Sequence, residues 1–231
     1  MDAAMDISIP YLASFKELTT IADIAEALNG HLPQHLQYAP WAKDTAQPLV
    51  SFVIAYDADA IYLKYDVTEE NIKAAYSNIN DPVYQDSCVE FFIAFGNDAC
   101  YYNLEFNCIG TCRVQYGQHK TGRTFLPVSL LKTIKYQTLI KSNDTGSIHW
   151  QLTLCIPLKV FKYHTGLVFA GSSARVNFFK CGDSLPNPHF LCWNNIAAPT
   201  PEFHLSGFFK EVTFSPQVNG AITKTEQLYH Q

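Results

Sequence analysis

Hydrophobic and polar positions alternate most clearly from Tyr84 to Thr111, and this alternation predicts two paired β-strands. In the first strand every second position from Val89 to Phe95 is bulky and apolar, and Glu90 falls between these positions. The second strand follows a Gly-Asn-Asp turn, with Glu105 among its alternate polar positions. The predicted buried set is Val89, Phe91, Ile93, Phe95, Leu104 and Phe106. The opposite face therefore carries carboxylate, amide and aromatic side chains.

Short alternating runs recur along the rest of the chain, for example at Val50–Tyr56 and Ile148–Ile156. About ten short strands separated by turn residues predict an all-β protein, an antiparallel β-sandwich with a jelly-roll-like arrangement. One or two short helices are expected. The clearest begins at a capping box, Thr20 to Asp23, and ends at Asn29-Gly30.

The 231 residues show no marked shift in composition, which favours one large domain. We expect the β-sandwich to span residues 48–216. Residues 1–47 are expected to form an arm, a short helix and a loop packed on that domain. Residues 217–231 are predicted to form a polar C-terminal tail.

Charge and hydropathy exclude two classes of partner. The net charge is −5, and no cluster of Lys and Arg is interleaved with aromatic residues, so nucleic acid is not an expected partner. No apolar run is long enough to cross a bilayer, so a membrane is not an expected partner either. The pattern leaves the oligomeric state open.

The seven cysteines are odd in number and scattered, several of them within apolar runs, which predicts reduced and buried thiols. The N-terminus has no positively charged segment followed by an apolar core, so no signal peptide is visible. As written, the chain is expected in the cytoplasm. Removal of a leader would instead predict a secreted or periplasmic protein.

Four segments along the chain carry a resemblance to a known family. They are VYQDSCVEFFIAF at 83–95, YYNLEFNCIGT at 101–111, NFFKCGD at 177–183 and HFLCWNNIAAPTPEFHLSGFF at 189–209. In order and spacing they resemble the family 9 carbohydrate-binding modules, in the family-9-like branch found in bacteria. The resemblance implies a β-sandwich that binds a sugar or glycan end without catalysis, in support of polysaccharide breakdown.

The resemblance also implies two stacking aromatic residues, and these fall on Tyr84 and Phe203. Both positions are Trp in the better known members, and a smaller ring covers less of a sugar. Glu90 matches the family's sugar-binding carboxylate. The alternatives are that Tyr84 packs under the preceding loop and that Glu90 is an exposed strand residue with a basic neighbour.

Further polar candidates lie on the neighbouring strands. Asn107 matches a family Asn, whereas Glu105 stands where the family places an Arg. Alternation puts Arg175 on the same face as Asn177, so Arg175 is the candidate for the missing cation and Asn177 for a further hydrogen-bonding group. The alternative is a structural cross-strand pair between Glu105 and Arg175.

No cofactor is expected, because the sequence contains no CxxC pair, HExxH motif or dinucleotide fingerprint. The resemblance allows a structural calcium ion. Its candidate oxygen ligands are Asp57 with Asp59, or Asp81 with Asp86. Turn formation by these aspartates is the alternative that the sequence favours.

Two other functions compete with carbohydrate binding. A glycoside hydrolase would use Glu90 and Glu105 as its carboxylate pair, and it would need one of them with a raised pKa in a closed cleft. We expect an open sheet face to hydrate both carboxylates, and therefore expect no catalysis. A protein-interaction module would need a broad apolar patch, whereas the pattern predicts a compact polar pocket.

Overall fold

A computed structural model describes residues 7–12, 20–42, 46–142 and 146–216. Within these ranges two β-sheets lie face to face, with two short helices on or between them. The strands are β1 (Ile7–Ile9), β2 (Gln34–His35), β3 (Leu49–Tyr56), β4 (Ala60–Glu69), β5 (Cys88–Phe95), β6 (Tyr101–Asn107), β7 (Cys112–Gly117), β8 (Thr124–Phe125), β9 (Lys135–Ser142), β10 (Ile148–Pro157), β11 (Ser173–Cys181), β12 (Phe190–Cys192) and β13 (Lys210–Phe214), and the helices are α1 (Ile21–Asn29) and α2 (Val128–Leu131).

The first sheet has the order β1-β13-β11-β5-β6-β7-β8, with β12 also paired to β11, and the second has the order β2-β3-β4-β10-β9. The named strands pair antiparallel except for β1 and β13, which pair parallel at one edge. The predicted antiparallel β-sandwich is confirmed. No helix among the described residues is long and apolar enough to cross a membrane.

The core lies between the two sheets and is rich in aromatic rings. Phe178 of β11 stacks on Phe52 of β3 with ring centroids 3.8 Å apart, and on Phe91 of β5 at 5.0 Å. All six positions predicted from the hairpin alternation are buried, which confirms that face as core. Burial of the apolar area of such large rings is the main favourable term that holds the sheets together.

The other face of β5 and β6 is also buried, which the alternation did not predict. The segment 193–209 lies over this face. Phe203 stacks on Phe179 with ring centroids 4.2 Å apart, and a hydrogen bond of 2.8 Å joins His204 Nδ1 to the Tyr101 hydroxyl oxygen. A second apolar cluster, which includes Phe92 and Phe209, fills the space beneath the segment. The polar side chains of this face therefore lie in an enclosed site.

The predicted capping box is present at the start of α1. The Thr20 hydroxyl oxygen accepts from the Asp23 N–H at 3.2 Å, and the Asp23 carboxylate accepts from the Thr20 N–H at 3.1 Å. Ile24 and Leu28 pack on the outer face of the second sheet, around Tyr62. The apolar side of this amphipathic helix thus covers a sheet face that would otherwise expose apolar area.

The described parts of residues 1–47 pack on the sandwich: β1 joins the first sheet and β2 joins the second. The Trp41 indole N–H donates to the Ala198 carbonyl at 2.8 Å, which holds the loop after β2 against the segment 193–209. The predicted tail at 217–231 lies outside the described residues. The domain boundaries remain predictions.

Candidate functional site

A pocket of about 290 Å³ opens on the outer face of the first sheet. Strands β5, β6, β7 and β11 form its floor, and the segment 193–209 forms one wall. Its lining residues are Tyr84, Glu90, Glu105, Arg113, Gln115, Lys120, Cys181, Asp183, Phe190, Pro201, Glu202, Phe203 and His204. Four of the seven predicted site residues are among them.

Strand register places three charged residues side by side across the floor. Glu90 of β5 lies directly opposite Glu105 of β6, and Glu105 lies directly opposite Arg113 of β7. Directly opposed residues have their Cβ atoms about 5 Å apart, so the three side chains form a row of neighbours. The Arg113 Nε atom is 3.9 Å from Glu105 Oε2, so Glu105 pairs with Arg113 rather than with Arg175.

Glu105 is only 4% exposed, and its two carboxylate oxygens differ. Oε1 accepts a hydrogen bond from the Asn103 amide at 2.7 Å. Oε2 is buried and accepts no hydrogen bond from any residue that the structure describes. A buried acceptor without a donor is costly and uncommon in native proteins, so this oxygen is a candidate contact for a bound molecule.

Glu90 is only 3% exposed, and its Oε1 atom accepts a hydrogen bond from the Cys181 thiol at 3.1 Å. Burial, and then the charge of Glu105, raise the pKa of Glu90 well above its usual range. Burial raises the pKa of Glu105 to about 7 despite the opposing effects of Arg113 and Asn103. The expectation that both carboxylates are hydrated on an open face is wrong, because the segment 193–209 encloses them.

The two predicted stacking aromatics both line the pocket but differ in accessibility. Tyr84 lies on a 3-10 turn, Val83–Gln85, and is half-buried, with the Arg113 guanidinium 5.8 Å from its ring centroid. Phe203 is 8% exposed, and one of its faces is covered by Phe179. Tyr84 therefore offers more ring surface to a ligand than Phe203 does.

The rim of the pocket is polar. The Lys120 ammonium lies 2.9 Å from the Glu202 carboxylate, and both groups are partly exposed. Burial, and then the charge of Arg123, lower the pKa of His204 to about 4, so its ring is neutral at neutral pH. Donors and acceptors thus surround the opening.

Asn107 does not line the pocket. Its amide group donates to the Asp86 carboxylate at 3.0 Å and to the Tyr76 carbonyl at 2.8 Å, and its carbonyl oxygen accepts from the Thr111 N–H at 2.9 Å. Both the donor and the acceptor ends of the amide are therefore engaged, and they fix the turn after β6 and the loop before β5. The side chain is fully buried.

Arg175 and Asn177 also lie away from the pocket. Arg175 donates to the Asp98 carbonyl at 2.7 Å, at the turn between β5 and β6. Asn177 is fully buried; its Oδ1 atom accepts from the Asn194 N–H at 2.9 Å, and its amide donates to the Asn194 carbonyl at 3.0 Å. The structure thus assigns both residues hydrogen bonds that fix loops.

Sequence reasoning missed Arg113, Lys120 and Asp183 as pocket residues. A signal for Arg113 was present, because β7 follows β6 after a short turn and pairing of the two strands brings Arg113 opposite Glu105. Lys120 reaches the rim from the loop after β7, and no local periodicity fixes the position of such a loop.

The aspartates named for calcium form hydrogen bonds within turns. Asp57 Oδ1 accepts from the Asp59 and Ala60 N–H groups at 2.8 and 2.9 Å. Asp81 accepts from the Asn78 N–H at 2.9 Å, and Asp86 accepts from the backbone of the preceding loop. These contacts fit the turn-forming alternative.

Comparison with known proteins identifies the family. The carbohydrate-binding family 9 profile matches residues 25–214. A structure from Bacteroides uniformis ATCC 8492, whose carbohydrate-binding assignment is provisional, is 32% identical with a TM-score of 0.82, and the match covers 90% of this chain and 98% of that one. No curated protein sequence gives a significant match.

Two further structures share the fold at lower identity. Both are family 9 carbohydrate-binding modules from Caldicellulosiruptor kristjanssonii and are 13% identical to this chain. The complex with glucose has a TM-score of 0.61 and covers 93% of this chain and 97% of that one. The complex with cellotriose has a TM-score of 0.58 and covers 94% and 96%. With the profile match over most of its length, this chain belongs to carbohydrate-binding family 9.

Proposed function

We propose that the pocket binds a carbohydrate, a monosaccharide or the end of a glycan, without catalysis and in support of polysaccharide breakdown. The observation that carries the proposal is the Glu105 Oε2 atom, which lies buried in the pocket and accepts no hydrogen bond from the described residues. A sugar hydroxyl is a suitable donor for it. Such a bond would offset the cost of burying the carboxylate.

The other lining groups support a ligand with several hydroxyls. Glu90 offers a second acceptor beside Glu105, and Arg113 offers donors on the opposite side. Tyr84 presents an apolar ring on which the C–H face of a sugar ring can pack. Planar polar groups beside an aromatic ring suit a pyranose better than they suit a purely apolar molecule.

The size of the pocket favours a chain end over a long internal stretch. Small-molecule pockets range upward from about 300 Å³, and this one is at that lower limit. One or two sugar units therefore fit inside it, and a longer glycan would extend into solvent. The glucose and cellotriose complexes of the Caldicellulosiruptor modules support this class of ligand.

Hydrolysis is the second candidate, because Glu90 and Glu105 are buried neighbours with raised pKa values. Hydrolysis in a retaining enzyme needs one protonated acid and one ionised nucleophile at the same pH. Here burial raises both pKa values, and the described residues place no cation within salt-bridge distance of Glu90. Arg113, however, lies 3.9 Å from Glu105 and favours its ionised form beside Glu90, so these charges alone do not exclude hydrolysis. The match to a carbohydrate-binding family is what favours binding over hydrolysis.

The interaction-module alternative is less compatible with the site. The pocket residues enclose a compact cavity in which carboxylates, an Arg and a Lys converge, and they do not form a broad apolar patch. A protein partner would leave the two buried carboxylates without hydroxyl donors unless it inserted a polar side chain. A small polyhydroxy ligand needs no such insertion.

A glycan array tests the proposal and identifies the sugar. We expect the wild type to bind a defined set of glycans that share a terminal sugar. Glu105→Gln should reduce that signal by about tenfold or more, because the Gln amide is neutral and offers one acceptor oxygen instead of two. Glu211→Gln is the matched control, since Glu211 is exposed on β13 of the same sheet and outside the pocket. Equal signals from Glu105→Gln and wild type would contradict the assignment.

Incubation with each bound glycan tests for turnover. We expect no release of reducing ends from the wild type over many hours. Release that is lost in both Glu90→Gln and Glu105→Gln, while glycan binding persists, would establish the hydrolase alternative instead.

A further inference from the structure

Two cysteines meet Glu90 at the floor of the pocket. Cys88 of β5 and Cys181 of β11 lie directly opposite each other in the strand register. Their sulfur atoms and a Glu90 carboxylate oxygen all lie within 4.8 Å of one another, and Cys181 Sγ is 3.1 Å from Glu90 Oε1. The cysteines are far apart in the sequence, so no spacing motif revealed this cluster.

The cluster has the chemistry of a site for a thiophilic metal ion. Thiolate sulfur and carboxylate oxygen are both ligands of Zn²⁺, at about 2.3 Å and 2.0–2.2 Å respectively. Ligand atoms around one tetrahedral ion are therefore about 3–4 Å apart. The three atoms here all lie within 4.8 Å of one another, so small side-chain movements bring them to that spacing. They converge from two neighbouring strands, which are rigid supports.

We propose that Cys88, Cys181 and Glu90 bind a thiophilic divalent cation, with Zn²⁺ as the best match, and that its fourth coordination position faces the pocket. Cys181 and Glu90 both line the pocket, so an ion has a path of entry. Three protein ligands with one open position are the arrangement of zinc sites that also accept water or a substrate oxygen. A sugar hydroxyl in the pocket would lie near that position.

Charge and burial are consistent with an ion that is bound selectively. All three residues are at most 3% exposed, so weakly held hydrated cations such as Mg²⁺ are disfavoured. Burial raises the pKa of Cys88 to about 12, so a bound ion has to displace thiol protons. Once deprotonated, the two thiolates and the carboxylate carry one more negative charge than Zn²⁺ neutralises, so they favour a divalent cation over an anion or a neutral ligand.

Cobalt titration of the reduced, metal-free, full-length protein in the absence of oxygen tests the site. We expect one Co²⁺ per chain and an absorption band from thiolate-to-cobalt charge transfer, which equimolar Zn²⁺ removes. X-ray absorption of the zinc-loaded wild type should show two sulfur ligands. These two measurements need no variant, and absence of thiolate ligation in both would overturn the proposal.

Variants then locate the ligands. Cys88→Ser and Cys181→Ser should each weaken Co²⁺ binding by at least about tenfold and reduce the charge-transfer band. Cys192→Ser is the matched control, because Cys192 is also a buried thiol, on β12 of the same sheet, and is not in the cluster. A band that survives in the Cys88→Ser, Cys181→Ser double variant would place the ion elsewhere and overturn the proposal.

Discussion

The Glu105 side chain is in an unusual environment for a strand carboxylate. One oxygen accepts a hydrogen bond from the Asn103 amide, and the other lies 3.9 Å from Arg113 Nε and accepts no hydrogen bond from the described residues. Because burial outweighs these partners, the pKa of Glu105 rises to about 7. A carboxylate with a raised pKa reduces the stability of the folded protein when it is ionised, and this cost can be measured.

We predict that Glu105→Gln stabilises the metal-free protein relative to wild type, and that the difference grows with pH. The unfolded carboxyl group has a pKa of about 4.5 and the folded one of about 7, so the folded state holds the extra proton between these values. The wild type therefore loses stability as pH rises from about 4.5 to 7, by on the order of 2–3 kcal/mol, and Gln does not. Urea unfolding at about pH 5 and pH 8, with a chelator present, measures this difference. A difference that is independent of pH would contradict the burial argument.

At the scale of elements, the strands and α1 were predictable because their signals are local. Alternation identified β5 and β6, and the Thr20–Asp23 capping box identified the start of α1. The assignment of residues to the pocket was less predictable. Alternation correctly puts Glu90, Glu105 and Asn177 on the outer face of the first sheet, but it does not say which part of that face the segment 193–209 covers.

Asn177 lies under the segment 193–209 and bonds to it. Its side chain is fully buried and bonds to both the N–H and the carbonyl of Asn194. We predict that Asn177→Ala lowers the free energy of unfolding by about 1–3 kcal/mol, because it removes the side-chain partner of the half-buried Asn194 backbone groups and of the buried Phe178 N–H. Sugar affinity should change by less than about twofold. Urea unfolding and calorimetric titration check both values.

Asn71→Ala is the control for this variant, because Asn71 is exposed in the loop after β4. We expect its unfolding free energy to match the wild type within about 0.5 kcal/mol. A large loss of sugar affinity in Asn177→Ala, with stability unchanged, would show instead that Asn177 contacts the ligand.

The α1 cap makes a prediction at the same scale. Thr20→Ala removes the side-chain acceptor for the Asp23 N–H and should lower the free energy of unfolding by about 1 kcal/mol. Sugar binding should be unaffected, because α1 packs on the second sheet and the pocket is on the outer face of the first. Thermal unfolding and titration with the same glycan check the two effects separately, and reduced affinity in Thr20→Ala would argue against this independence.

At the scale of the whole molecule, the sandwich is covered on one side by a layer of loops. The segment 193–209 packs through Phe203 on Phe179 and converts the outer face of the first sheet into a pocket. Contacts of this kind join residues that are distant in sequence, so a periodic pattern does not encode them. For the same reason the pairing of Glu105 with Arg113, rather than Arg175, and the meeting of Cys88 with Cys181 emerged only from the fold.

The most direct test of the central claim, that this pocket binds the sugar, is calorimetric titration of wild type and Tyr84→Ala with a glycan that binds on the array. Tyr163→Ala is the control, since Tyr163 is a partly exposed ring outside the pocket. Loss of the Tyr84 ring should cost about 1–2 kcal/mol, a weakening of about tenfold, while Tyr163→Ala binds like wild type. Unchanged affinity in Tyr84→Ala, with its melting temperature also unchanged, would contradict the claim.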